Sequence, residues 1–275
     1  MVVSGRQIKL DSIELSLLEA GVGGRPMLFL HGFAGGKEDY AGHFVRFAEA
    51  GFHVVAPDLR GHGASEAPPE ETDYSFEILA TDVIELVEEL RWETFVLVGH
   101  SMGGMIAQEV ALKAAERLSA LVLVDTSPGG LDMDKGPATA AVELVRSMGT
   151  ERLATLIATG GPGPLDSEAS RRLSENEPGW VERGDANLRN ASDAMYAAML
   201  MAMLERPDRQ EVLSALGMPV LVMVGDQDQP FRSPSEKLAK SIPTARLEVI
   251  AGSGHTPMQE APVQWAKSLH AFLAE

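Results

Sequence analysis

The chain contains no cysteine, so disulfide staples and thiolate metal sites are excluded, and the redox character of its compartment leaves no mark on the sequence. Aromatic residues make up only 5% of the 275 positions. Basic residues are also in the minority: 23 Lys plus Arg stand against 40 Asp plus Glu, for a formal net charge of −17. A surface of that sign repels nucleic acid and anionic lipid at long range, so neither is expected as a partner. Long apolar runs are missing too. The longest, Ala194 to Leu204, falls short of the roughly 18 to 20 residues a membrane span needs. The opening Met1-Val2-Val3-Ser4-Gly5-Arg6 turns polar at once and lacks a signal-peptide core, so a cytoplasmic location is the expectation.

What is present is enough apolar residue, 45%, to bury a large core as one domain with room for an insertion. Strand and helix signals alternate from Ile13 to Leu90: strands at Ile13–Leu18, Met27–Leu30 and Phe52–Ala56, helices at about Lys37–Ala50 and Ser75–Leu90. In the second helix Leu79, Val83, Leu86, Val87 and Leu90 form an apolar stripe, which turns Asp82, Glu85, Glu88 and Glu89 outward. Further apolar runs at Phe95–Val98, Leu121–Val124, Val220–Val224 and Leu247–Ile250 read as strands buried on both faces. The pattern predicts an α/β fold with a mostly parallel central sheet and helices on both faces.

Between Thr126 and Leu216 no strand pattern survives. Helical segments are broken at Gly160-Gly161-Pro162-Gly163-Pro164, Pro178-Gly179 and Pro207, which predicts a helical insertion over residues 127–216, with the core formed by 1–126 and 217–275. Its last helix, Asp193–Leu204, carries Met195, Met199, Met201 and Met203 without a charge for three turns. Two readings stay open for it, packing within the insertion or an adaptable wall for an apolar substrate; on the second, Met195 and Met199 contact the substrate.

The chemistry centres on Gly99-His100-Ser101-Met102-Gly103, where a β-branched strand gives way to an Ala/Ile/Val-rich helix. A chain that reverses so sharply brings the positions two before and two after the serine together, and glycine there avoids a collision. The serine hydroxyl is then exposed at a helix N-terminus, whose dipole favours developing negative charge. Such a nucleophile needs a base, and the base needs an orienting acid. Among seven histidines, His31 and His62 sit in tight glycine turns that they fix, His100 points away from its neighbour Ser101, and His270 lies off the apolar stripe of the last helix. His255, in the loop Gly252-Ser253-Gly254-His255-Thr256-Pro257, is the candidate base. Asp226, Asp228 and Asp125, each following a strand, compete for the role of acid, while Asp58 reads as a loop-fixing residue. An oxyanion hole would combine the Met102 amide with the Phe33 amide from the glycine-rich turn Leu30–Gly36.

Taken together, His31-Gly32-Phe33, Asp58-Leu59-Arg60-Gly61-His62-Gly63-Ala64-Ser65, Gly99–Gly104, Gly225-Asp226-Gln227-Asp228 and Gly252-Ser253-Gly254-His255 resemble, in order and over nearly the whole chain, the capped, cofactor-independent members of the α/β-hydrolase fold family. The resemblance implies that Asp228 rather than Asp226 is the acid and that residues 127–216 form a cap. It implies a serine hydrolase acting on a small-molecule ester or lactone, with enol-lactone hydrolase, cofactor-free haloperoxidase or perhydrolase, and carbon–carbon bond hydrolase as sister activities. A non-catalytic ligand receptor of the same fold is the alternative from another class. The vitamin K pathway synthase of similar fold carries arginine where this chain has Met105, and aspartate-nucleophile members carry aspartate at position 101, which disfavours both. No metal or organic cofactor is expected, since the histidines lack ligand spacing and no phosphate loop occurs. Self-association as a homodimer stays open.

Overall fold

A computed structural model describes residues 2–131, 134–160 and 163–275. Of the expected helix breaks, Gly161 and Pro162 therefore lie outside the described residues. The chain runs β1 Ser4–Lys9, β2 Glu14–Ala20, β3 Arg25–Leu30, α1 Ala41–Glu49, β4 Phe52–Pro57, α2 Phe76–Glu89, β5 Phe95–His100, α3 Met102–Lys113 and β6 Leu118–Val124. Four helices follow without an intervening strand: α4 Lys135–Ala158, α5 Glu168–Asn176, α6 Trp180–Asn190 and α7 Asp193–Glu205. The short α8 Gln210–Leu213 leads back to β7 Val220–Gly225, α9 Gln229–Ser241, β8 Ala245–Ile250, α10 Pro257–Glu260 and α11 Pro262–Leu273.

All eight strands join one sheet in the order β1-β2-β4-β3-β5-β6-β7-β8, parallel from β4 to β8 and antiparallel at the β1–β2 end. Successive strand residues point to opposite faces, and here both faces are apolar. Leu28, Leu30, Leu97, Leu121, Leu123 and Val222 pack under α2, α3 and α9, while Met27, Phe29, Val96, Val98, Val122 and Met223 pack under α1 and α11. The second face is rich in aromatics: Phe29 stacks on Tyr40 with ring centroids 4.6 Å apart, and Trp265 closes against His43, Phe47 and Tyr40.

One strand lies outside the sequence expectations and two of those expectations need correction. Ser4–Lys9 forms a strand that carries no alternating apolar signal, because it pairs only at the sheet edge and buries little beyond Ile8. At the opposite edge β8 is not covered on both faces, and Leu247 is 40% exposed. Asp82 does not face outward. It is buried, and the Arg60 guanidinium donates to both of its carboxylate oxygens, Nε to Oδ2 at 2.7 Å and a terminal nitrogen to Oδ1 at 2.6 Å. That bidentate pair ties the loop after β4 to α2.

A second buried cluster fastens the helical insert to the core. Arg206, just past α7, donates to Glu109 at 2.9 Å and to Gln108 at 3.1 Å, both on α3, and lies over the Phe76 ring. Arg209 shares the Glu109 carboxylate at 3.0 Å. Breaking a buried ion pair from one side strands a charge, at a cost of roughly 3–5 kcal/mol. With Arg209 still present, Arg206→Ala is expected to sit at the lower end, about 3 kcal/mol, read as a lower urea midpoint. An unchanged midpoint would mean that the cluster contributes nothing to holding the insert.

Candidate active site

Phe33, Ser101, Asp228 and His255 follow the carboxyl ends of parallel strands, where open α/β sheets gather their sites, and Met102 opens α3 directly after Ser101. Ser101 follows β5 with φ 52° and ψ −117°, a left-handed backbone that a side chain adopts only under strain. Its N–H donates to the Val124 carbonyl at 2.9 Å, and the Thr126 hydroxyl donates to the Ser101 carbonyl at 2.8 Å, so the end of β6 and the residues just after it hold the turn in place. The two flanking glycines are sterically required. A Cβ on Gly99 would lie 2.3 Å from the Gly103 carbonyl oxygen, and one on Gly103 would lie 2.5 Å from the carbonyl oxygens of Leu30 and His31.

The loop after β3 packs directly on this turn: a Cβ on Gly32 would meet His100 Nδ1 at 2.9 Å and Ser101 Cβ at 3.3 Å. His31 braces the loop in one tautomer, donating from Nδ1 to the Gly32 carbonyl at 2.8 Å and accepting the Leu59 N–H on Nε2 at 2.9 Å. Asp58 fixes the next loop by accepting the N–H groups of Lys37 and Ala64, both at 2.9 Å. Among the described residues neither the Phe33 nor the Met102 backbone N–H donates to another backbone group.

His255 and Asp228 meet although 27 positions separate them: His255 Nδ1–H donates to Asp228 Oδ2 at 2.8 Å. This bond fixes the tautomer and leaves Nε2 as the ring's free lone pair. Burial alone would raise the Asp228 carboxyl, but the hydrogen bond and charge of His255 outweigh it and hold the group below its ordinary range. Asp226 makes no such contact and instead accepts the Ser253 N–H at 3.1 Å. Asp125, the third candidate, is fully buried behind Asp228; a ligating oxygen of each and a His255 ring nitrogen lie within 4.8 Å of one another. Of the His255 ring nitrogens, Nδ1 is already committed to Asp228.

Ser101 and His255 line one cavity of 860 Å³, within the range of small-molecule sites. No direct hydrogen bond joins the two side chains among the described residues. Phe33 and Phe231 flank the reacting end, and the insert supplies an apolar wall of Leu131, Ala154, Ile157, Leu165, Leu200 and Met203. Asp39, Arg183, Asn187 and Gln259 form a polar portion.

Met195 and Met199 are absent from this lining, so of the two readings left open for this helix they take packing rather than substrate contact. On α7 Leu200 and Met203 line the cavity and Tyr196 packs on the Phe33 ring with centroids 4.8 Å apart, while Met195 and Met199 on the neighbouring stripe are wholly buried in the core.

Two residues near the site escaped the sequence reading. His100, set aside as pointing away from Ser101, donates from Nε2 to the His255 carbonyl at 2.6 Å. Burial, reinforced by the nearby His255 ring, pushes its pKa down to about 3, so it serves as a neutral strut. Glu260 gathers the histidine loop by accepting from Ser253 Oγ at 3.0 Å and from the N–H groups of Gly254 and Thr256 at 2.6 and 3.3 Å. Its closeness to His255 in sequence was the only clue to it.

A family model of the alpha/beta hydrolase fold matches residues 25–262. The chain is 30% identical to a non-heme chloroperoxidase of Kitasatospora aureofaciens over 260 residues, covering 89% of this chain and 90% of that protein. It is 29% identical over 254 residues to a putative 2-succinyl-6-hydroxy-2,4-cyclohexadiene-1-carboxylate synthase of Bacillus subtilis (strain 168), covering 89% and 88%. Among solved structures it is similar to a thermophilic esterase from Thermogutta terrifontis, with a TM-score of 0.84, 29% identity and 98% of each chain covered.

Proposed function

The chain belongs to the α/β-hydrolase fold family, and from that premise we propose that it is a serine hydrolase cleaving carboxylic esters of small to medium apolar substrates through an acyl-enzyme on Ser101. The observation that carries this reading is the 2.8 Å bond from His255 Nδ1 to Asp228 on the wall of a cavity that Ser101 shares. In the proposed reaction Ser101 Oγ attacks the ester carbonyl carbon while His255 Nε2 takes the hydroxyl proton. Asp228 stabilises the imidazolium that forms. The Phe33 and Met102 N–H groups hold the oxyanion. As the C–O bond breaks, His255 returns the proton to the departing alcohol; water, deprotonated by His255, then attacks the acyl carbon and frees the acid and Ser101.

On this reading the helices between β6 and β7 act as a cap. Their contribution of Ile157, Leu165, Leu200 and Met203 to the wall favours an apolar acyl or alcohol group. The esterase likeness over almost the full chain agrees with an ester substrate.

Hydrolysis of p-nitrophenyl esters by two asparagine variants tests the assignment of the acid. Asp228→Asn should lower kcat about 10⁴-fold, because the amide favours the wrong histidine tautomer. Asp226→Asn should change it little, since an amide oxygen can still accept the Ser253 N–H. Equal losses, or tight ligand binding by the native chain with no turnover of any ester or lactone, would sink the proposal.

A further inference from the structure

Asp125 has no role in the reaction above, yet its carboxyl group is completely buried directly behind the acid that does. It stands just past β6 with φ 44°, a left-handed backbone that is costly for a side-chain-bearing residue and that carries the carboxyl toward Asp228. Oδ1 accepts the Gly225 N–H at 2.9 Å. Oδ2 is shielded from solvent and has no donor facing it.

Two carboxyl groups this close in a buried site cannot both ionise, so one proton is shared between them. The surroundings decide which holds it. Asp228 accepts from His255 Nδ1–H and faces the positive charge that His255 would acquire in turnover. Asp125 faces Asp228 and, further off, Glu260 and the Tyr40 hydroxyl, with the neutral His100 beyond Asp228. No cation touches it among the described residues. Burial first, and then Asp228, push its carboxyl well above the ordinary range.

Resting on the serine-hydrolase reading for its catalytic consequence, we propose that Asp125 is a positioning residue: a neutral carboxylic acid whose Oδ2–H donates to Asp228 and holds that carboxylate square to His255 Nδ1. The orphaned Oδ2 thereby gains a partner, and the site keeps one negative charge for one imidazolium. Two roles are divided between two strand ends, with the charge after β7 and the brace after β6.

Asp125→Asn preserves the shape and both contacts, with the amide oxygen on the Gly225 N–H and the amide N–H on Asp228. Asp125→Ala removes the donor. The first measurement needs no substrate: infrared difference spectra at neutral pH, native minus Asp125→Asn, should show a protonated-carboxyl C=O band. Its absence overturns the proposal, whether or not Ser101 proves to be the nucleophile. The second is the acidic limb of the kcat/KM profile. A neutral Asp125 leaves that limb in place in Asp125→Asn; an ionised one would let it fall by about one pH unit or more, since a charge is removed beside His255. In Asp125→Ala kcat should drop about tenfold or more, with asparagine restoring most of the loss relative to alanine. Native kcat in the alanine variant counts against the brace. Should that variant fail to fold, the infrared band and the asparagine profile still decide.

Discussion

Ser101→Ala should remove about 10⁶ of kcat toward p-nitrophenyl esters while leaving the thermal midpoint close to that of the native chain. The size of the loss follows from the way nucleophile, base and acid act as one unit: once the hydroxyl is gone, the His255–Asp228 pair has no proton to take. Only the oxyanion donors and substrate binding remain, worth roughly 10³ to 10⁴ over water. Stability should hardly move, because the Ser101 side chain makes no hydrogen bond to the described residues and alanine meets the left-handed backbone at φ 52° with a similar penalty. Covalent labelling supplies the companion measurement. A serine-directed phosphonate should add one adduct to the native chain, mapped to Ser101, and none to the variant. Native turnover in the variant would refute the nucleophile outright.

Residues whose chemistry demands a local backbone were legible in the sequence. The turn at Ser101 needs Gly99 and Gly103 within five positions, and the loops carrying Phe33 and His255 announce themselves by glycine. The mostly parallel sheet was legible for a related reason, since strands covered on both faces read as unbroken apolar runs. What local pattern could not reveal was which element would lie beside which. Strand order left β8 at an edge, so its expected two-sided burial failed. Helical spacing places Asp82 on an outward stripe, because nothing near it in sequence shows that Arg60 reaches α2. On α7, apolar on every side, periodicity cannot choose a face, and the cavity took Leu200 and Met203 instead of Met195 and Met199. Asp226 and Asp228 were separated by family resemblance, not by their surroundings, and the 2.8 Å bond to His255 now supplies the physical ground.

Acid is the condition under which the fold should weaken most steeply. His62 and His100 are both buried, each leaves one ring nitrogen without a partner, and burial, aided by His31 near the first and His255 near the second, pushes both pKa values down to about 3. In the unfolded chain the same groups take up protons near 6.5. Between those limits the unfolded state binds more protons than the folded one, so stability falls as pH is lowered. At pH 5 the loss is about 2 kcal/mol per histidine, taken over the interval below 6.5 at 1.36 kcal/mol per unit. Asp125 opposes this trend, because its raised pKa means that the folded state holds a proton the unfolded state has released. Below pH 6.5 each buried histidine costs about 1.36 kcal/mol per unit of falling pH while the protonated Asp125 returns about as much once, so the two histidines together outweigh it. Melting curves from pH 6.5 to 5 should therefore show a falling midpoint. His62 makes the test specific: it lies outside the proposed reaction and uses only Nδ1–H, on the Arg60 carbonyl at 3.0 Å, a bond that an asparagine amide can replace. His62→Asn should remove most of the pH dependence, because Asp125 then offsets the one buried histidine left, and a slope equal to that of the native chain would show that this buried ring is not what acid attacks.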